Sequence, residues 1–332
     1  MALCKPALAG ATTEELQKEL SRQLVRRHEA PAQRKQPPSV ASRGKVHAMS
    51  VRPPSNHQPG KPWHGDSLVV FFSLTFVVTW TSFISAAAMS GGTGVTAPGL
   101  AWPVFLLGVF APSLVAMALT ARAEGSAGLR ALLRPLFLWQ VGARWYLFAV
   151  SYMAAIKVAA AIGYRVAMGE WPRFGPEAWY IMIAATVIST PVQAGEEIGW
   201  RGYALPRLAA RIGLVRGSVL LGAVWACWHL PLFFIPGADK TGQSIPVYIL
   251  QVTALSVAMA WLYGHTKGSL LLVMLLHAAV NNTKDIVPSA VAGATNPFAL
   301  SSSLVAWFTV AFLWICAGYF LFRMPRPVLP RA

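Results

Sequence analysis

Charge is what this sequence has least of. Only 12% of its 332 residues are Asp, Glu, Lys or Arg, while 55% are hydrophobic; soluble domains carry about twice that share of charge. The shortage excludes an ordinary soluble enzyme and points to a polytopic membrane protein. Acids are the scarcer sign, 12 Asp and Glu against 28 Lys and Arg, for a net charge of +16. Such a surplus can mark a nucleic-acid-binding chain. Here, however, the cations lie in the amino-terminal arm and in loops between apolar runs, where the positive-inside rule puts them. No nucleic acid is expected as a partner. The three cysteines, Cys4, Cys227 and Cys316, have no paired spacing, which excludes a disulfide scaffold or zinc ribbon and leaves packing residues. Two local signatures are missing as well: there is no H-E-x-x-H and no G-x-S-x-G.

Residues 1–64 are polar, proline-rich and basic, with one short amphipathic helix expected over Leu16, Leu20 and Leu24. They read as a disordered basic arm that can touch anionic lipid. Lacking an apolar h-region, they are not a secretory signal peptide. From about residue 65 to 324 the chain is a single helical domain, and residues 325–332 are a short basic tail. Eight apolar segments of roughly bilayer-spanning length fall near 67–89, 100–121, 145–166, 179–200, 215–235, 246–264, 269–287 and 301–322. Alternate loops are basic: Arg122, Arg130, Arg134 and Arg144 follow the second segment, and Arg207, Arg211 and Arg216 the fourth. The expected fold class is therefore all-α, a bundle of eight transmembrane helices with both termini cytoplasmic. Pro103, Pro112, Pro191 and Pro231 should each kink or interrupt a helix. Gly195 and Gly199 form a GxxxG step that admits a neighbouring helix. Lys157, in the middle of the third segment, must pair inside the bundle or snorkel.

The informative stretch is Gly195-Glu196-Glu197-Ile198-Gly199-Trp200-Arg201-Gly202. A charge at the bilayer centre costs between about 2.5 and 17 kcal/mol, depending on the reference. Glu197 and Arg201, four apart on a helix, can pair; Glu196 points about 100° away and is left for chemistry. The plain alternative is that all three anchor a helix end in the headgroup layer. Two further segments carry polar groups: Trp225 and His229 share a face in the fifth, His277 and Asn281 in the seventh. A single histidine in an apolar helix is usually a satisfied core residue, but intramembrane ionisable groups tend to find one another. A carboxylate and an imidazole can activate a water, and an imidazole with a carboxamide can hold an oxyanion. Glu196, His229 and His277 could equally bind one divalent metal such as zinc, with an open fourth position.

The order E-E-x-x-x-R, aromatic-x-x-x-H, H-x-x-x-N resembles the CPBP family of intramembrane proteases, which includes CAAX prenyl protease 2. The matching residues are Glu196, Glu197 and Arg201, then Trp225 and His229, then His277 and Asn281. The resemblance covers about residues 67–323. It implies that Glu196 and His229 activate water, that His277 and Asn281 form the oxyanion hole, and that Glu197, Arg201 and Trp225 support them. The family's second motif usually has Phe where this chain has Trp225, a change that preserves an aromatic wall. The implied activity is endopeptidase cleavage of a membrane-associated peptide or protein, in a multi-pass protein of a bacterial plasma membrane. The resemblance implies a glutamate- or metal-dependent protease, and its motif suits a metal-free glutamate mechanism as well as a metal-bound one. A non-catalytic membrane adaptor or bacteriocin-immunity-type protein, using the same cluster for packing, is the alternative. One geometric problem stands in the sequence: with the fourth segment ending near residue 200, Glu196 lies at its end while His229 lies deep in the fifth. A break at Pro191, tilt or a later start to the fifth segment must bring them level.

Overall fold

The computed structural model describes residues 66–91, 99–289, 296–300 and 302–324. The amino-terminal arm and the basic tail lie outside the described residues, as do both termini. Every regular element among the described residues is helical. They are α1 (Asp66–Met89), α2 (Ala101–Leu133), α3 (Ala143–Met168), α4 (Trp179–Ser189), α5 (Ala194–Glu197), a π-helical stretch (Ile198–Ala204), α6 (Leu205–Trp228), α7 (Ile245–His265), α8 (Leu270–Thr283) and α9 (Leu304–Phe322). The described residues of each apolar segment lie mainly on helix, the fourth and fifth segments within one run, Trp179–Trp228. By length and composition six helical runs can cross a membrane, the longest being Trp179–Trp228, and Leu270–Thr283 is a shorter apolar helix. The chain is an all-α, multi-pass membrane protein.

The structure moves one boundary that matters. Helical conformation does not end near residue 200 but runs on through α5, the π stretch and the first turns of α6 to Gly213, which is non-helical at φ 80°, ψ 155°. Glycine tolerates that left-handed φ without a Cβ penalty. The chain reverses there. Residues 196 and 225 would stand about 44 Å apart along an unbroken helix, yet their side chains are hydrogen-bonded at 2.8 Å. Arg207 is therefore a helical residue rather than a loop residue, and Arg211 and Arg216 flank the turn. The seventh segment is also shorter than its apolar run. Its helix stops at Thr283, where Lys284 and Asp285 begin a turn.

The prolines separate into two kinds. Pro103 sits in the first turn of α2, where no intrahelical N–H is lost, so it breaks nothing. Pro191 and Pro231 lie in the short 3-10 turns Thr190–Gln193 and Leu230–Phe233, flanking the glutamates and His229. The glycine pair works as expected. A Cβ on Gly195 would meet the Phe110 ring at 2.9 Å, and one on Gly199 would meet the Pro112 backbone at 2.5 Å. At this crossing the Ser113 hydroxyl donates to Ala194 O (2.6 Å) and accepts from Gly199 N (3.2 Å). Trp200 is fully buried against Phe71, Phe72 and Trp228. The glutamate helix is thus clamped between α1, α2 and α6. Lys157 neither forms a salt bridge among the described residues nor snorkels. Its ammonium is buried and donates to Val287 O (3.0 Å) and Ser289 Oγ (2.6 Å), tying α3 to the segment after α8.

Candidate active site

The reversal at Gly213 levels the groups that the sequence left at different depths. The glycine falls almost midway between Glu196 and His229 in the chain. The two arms of the hairpin bring both side chains against the same residue. Trp225 is the common neighbour. Its indole Nε1–H donates to Glu196 Oε2 (2.8 Å), and its backbone carbonyl accepts from His229 Nδ1 (2.8 Å). Its ring lies 5.8 Å from the His229 ring and 5.2 Å, edge-on, from the His277 ring. A carbonyl only accepts, so His229 carries its proton on Nδ1 and, when neutral, presents a lone pair on Nε2. The His229 ring is also enclosed by Trp228 at 4.6 Å and Tyr248 at 5.5 Å.

The second glutamate does more than pair with the arginine. Arg201 Nη1 donates to both Glu197 oxygens, at 2.9 and 3.1 Å, with both side chains fully buried. The i, i+4 pair expected from the sequence is therefore present. Glu197 Oε1 also accepts from His277 Nδ1 at 2.7 Å, which fixes that ring and leaves Nε2 as its other polar atom. Arg201 stacks on the Trp225 ring at 4.2 Å to the centroid, a cation–π contact. Its Nε and Nη2 are buried without a hydrogen-bond partner among the described residues. Asn281, one turn after His277, is exposed within the described residues, and its Nδ2 donates to Gln193 Oε1 at 3.4 Å. The site helices are linked a second time through Asn282 Nδ2 and Ser189 Oγ (3.0 Å). Glu196, His229 and His277 are each less than a tenth exposed. The glutamates lead into the π-helical stretch, a distortion common at functional sites.

Residues 176–283 match the family model of Rce1-like type II CAAX prenyl endopeptidases. CAAX prenyl protease 2 of Methanococcus maripaludis is 24% identical over 237 residues, which span 66% of this chain and 84% of that protein. Both similarities lie with the CPBP family.

The matched stretch contains all seven motif residues, from Glu196 to Asn281. The structure brings six of them into one connected set: Glu196, Glu197, Arg201, Trp225, His229 and His277. Asn281 joins it only through Gln193, one turn before Glu197. Two features escape sequence reasoning. The motif assigns Trp225 an aromatic wall, but its N–H is also a donor to Glu196 that the family's usual Phe cannot supply. Gln193 links Asn281 to the glutamate helix, and its only sign in the sequence is a polar amide inside an apolar run. No three His, Cys, Asp or Glu side chains among the described residues stand close enough to hold a metal ion.

Proposed function

We propose that the protein is a membrane-embedded endopeptidase that hydrolyses a peptide bond of a membrane-associated protein, with water activated by Glu196 and His229. The observation that carries the reading is the double use of Trp225, which anchors the Glu196 carboxylate by its side chain and the His229 ring by its backbone. Held this way, Glu196 keeps Oε1 for a water proton while His229 Nε2 accepts a hydrogen bond from the same water. Attack on the amide carbonyl creates an oxyanion. Asn281 has an N–H beyond the one given to Gln193. His277, whose ring the Glu197 carboxylate fixes through Nδ1, has Nε2 as its second polar atom for that charge. The proton taken by Glu196 then passes to the leaving amine. Water attacks the carbonyl directly, so no acyl-enzyme forms. The family name and the relative's name both concern CAAX prenyl substrates; on that ground the substrate class we favour is a lipid-anchored protein cut near its carboxyl end.

The test is cleavage of a membrane-anchored reporter peptide by the purified protein in nanodiscs, with Glu196→Gln and His229→Ala alongside. Loss of cleavage in both, on the order of 10²–10⁴-fold, with the melting transition retained, is expected for a general base. Cleavage at the native rate by Glu196→Gln overturns the proposal in favour of the adaptor reading.

A further inference from the structure

After His229 the chain makes the 3-10 turn Leu230–Phe233 and then a strap, residues 234–244, before α7. The strap turns at Gly237 and Gly242, both at positive φ (76° and 79°). Between them lies Lys240, whose side chain is only 10% exposed. A lysine buried outside the helices is unusual and needs partners. Its Nζ lies 5.3 Å from the centre of the Tyr248 ring, the same ring that stands 5.5 Å from His229. Its charge partner is Asp239, at 2.5 Å. The same Asp239 oxygen lies 3.5 Å from Lys284 Nζ. Lys284 follows Asn281 by three positions and is therefore its neighbour on the helix surface. Two ammonium groups thus converge on one carboxylate, one beside His229 and the other beside Asn281. Asp239 itself is more than half exposed.

We infer that Lys240 and Lys284 form a cradle for a substrate carboxylate at the edge of the site, and that Asp239 occupies it when no substrate is bound. The inference rests on the endopeptidase reading and names what that site selects. Three observations support it. First, partial burial raises the Asp239 carboxyl, yet Lys240 and Lys284 outweigh that and bring it down to about 2; the two ammonium groups hold a carboxylate as the anion. Second, burial lowers Lys240, and both Asp239 and Glu196 act against that lowering, which puts the ammonium within electrostatic reach of the candidate base. Third, Asp239 sits between two glycine turns with its carboxylate open to water, so a competing carboxylate that makes the same ion pairs can displace it while Lys240 stays on Tyr248. A substrate whose carboxylate takes its place has its reactive amide held between His229 and Asn281, the two residues that the cradle adjoins. Two sources can supply the carboxylate, a free C-terminus or an acidic side chain near the cut.

The experiment uses the full chain in nanodiscs and three membrane-anchored fluorescent peptides: one with a free C-terminal carboxylate, its C-terminal amide, and an amidated peptide with a Glu downstream of the cut. Binding is measured on Glu196→Gln protein, so that the cradle is tested whether or not cleavage occurs, and cleavage is measured separately on the native sequence. The acid should bind on the order of tenfold or more tighter than the amide, as one partly buried charge-assisted contact implies. Lys240→Met, or Lys284→Met should the first fail to fold, should remove that preference while leaving the affinity for the amide in place; Lys240→Arg should restore it. Asp239→Asn should tighten binding of the acid alone, a sign that a purely structural role cannot give. Tight binding of the Glu peptide but not of the free terminus assigns the cradle to a side chain. Equal binding of all three peptides, or an acid preference that survives both lysine substitutions, overturns the inference. Acid-selective binding without cleavage by the native protein overturns the endopeptidase reading alone.

Discussion

Replacing Glu197 by Gln removes the one carboxylate that two buried cationic or proton-bearing groups share. Glu197 takes both bonds of Arg201 Nη1 and the bond of His277 Nδ1, at 2.9, 3.1 and 2.7 Å. A glutamine oxygen can accept from one of these donors, but its amino group must then face the other, donor against donor. Arg201 is left charged and fully buried, with Nε and Nη2 already lacking partners. Breaking a buried pair from one side costs about 3–5 kcal/mol, which for a chain of this size lowers the melting temperature by roughly 4–7 °C. Activity should fall with it, because His277 loses the group that orients it. The decisive comparison is the double variant Glu197→Gln/Arg201→Met. Removing both charges should recover most of the lost stability, but not the activity, since His277 still lacks its carboxylate. Thermal unfolding followed by intrinsic tryptophan fluorescence reads the first quantity, and reporter-peptide turnover the second. A Glu197→Gln protein that melts and cleaves like the native one would show that the triad of Glu197, Arg201 and His277 neither stabilises nor orients.

Other substitutions isolate single contacts. Gly199→Val drives a side chain into the Pro112 backbone, where a Cβ alone would already stand at 2.5 Å; it should destabilise by about 1–3 kcal/mol or more and reduce the folded yield in detergent. Lys157→Met removes the donors to Val287 O and Ser289 Oγ, costing about 1–3 kcal/mol of stability by thermal melt, with kcat on a reporter peptide unchanged. Asn281→Ala should lower kcat about 10²–10³-fold while shifting the melting temperature little, since its bond to Gln193 is long at 3.4 Å.

The fold class was legible because scarcity of charge and recurrence of apolar runs are averages over many residues. The pairing of Glu197 with Arg201 was legible because an i, i+4 relation is local to one helix. What lay beyond the sequence were the long-range relations. His277 proved to be the partner of Glu197, 80 positions away, and no local rule could choose between two adjacent glutamates for it. Lys157 found two oxygens in a turn far along the chain, at what hydropathy alone marks as the end of an apolar segment.

The depth problem between Glu196 and His229 shows why boundaries fail where chemistry is placed. A hydropathy window ends a span at the first cation, so by that rule Arg201 and Arg207 close the fourth segment. Both are instead held by partners inside the protein, Arg201 by Glu197 and the Trp225 ring, Arg207 by the Tyr203 carbonyl and ring. The helix therefore continues until a residue permits reversal, and Gly213 is that residue. Because it sits midway between Glu196 and His229, the hairpin it makes brings the imidazole back towards the carboxylate, and Trp225 bonds to both, its indole to Glu196 and its backbone carbonyl to His229. Any substitution that fills the left-handed position at Gly213 strains this registration from about 25 Å away, without touching a single reacting group. Gly213→Ala should accordingly reduce turnover more than it reduces peptide binding.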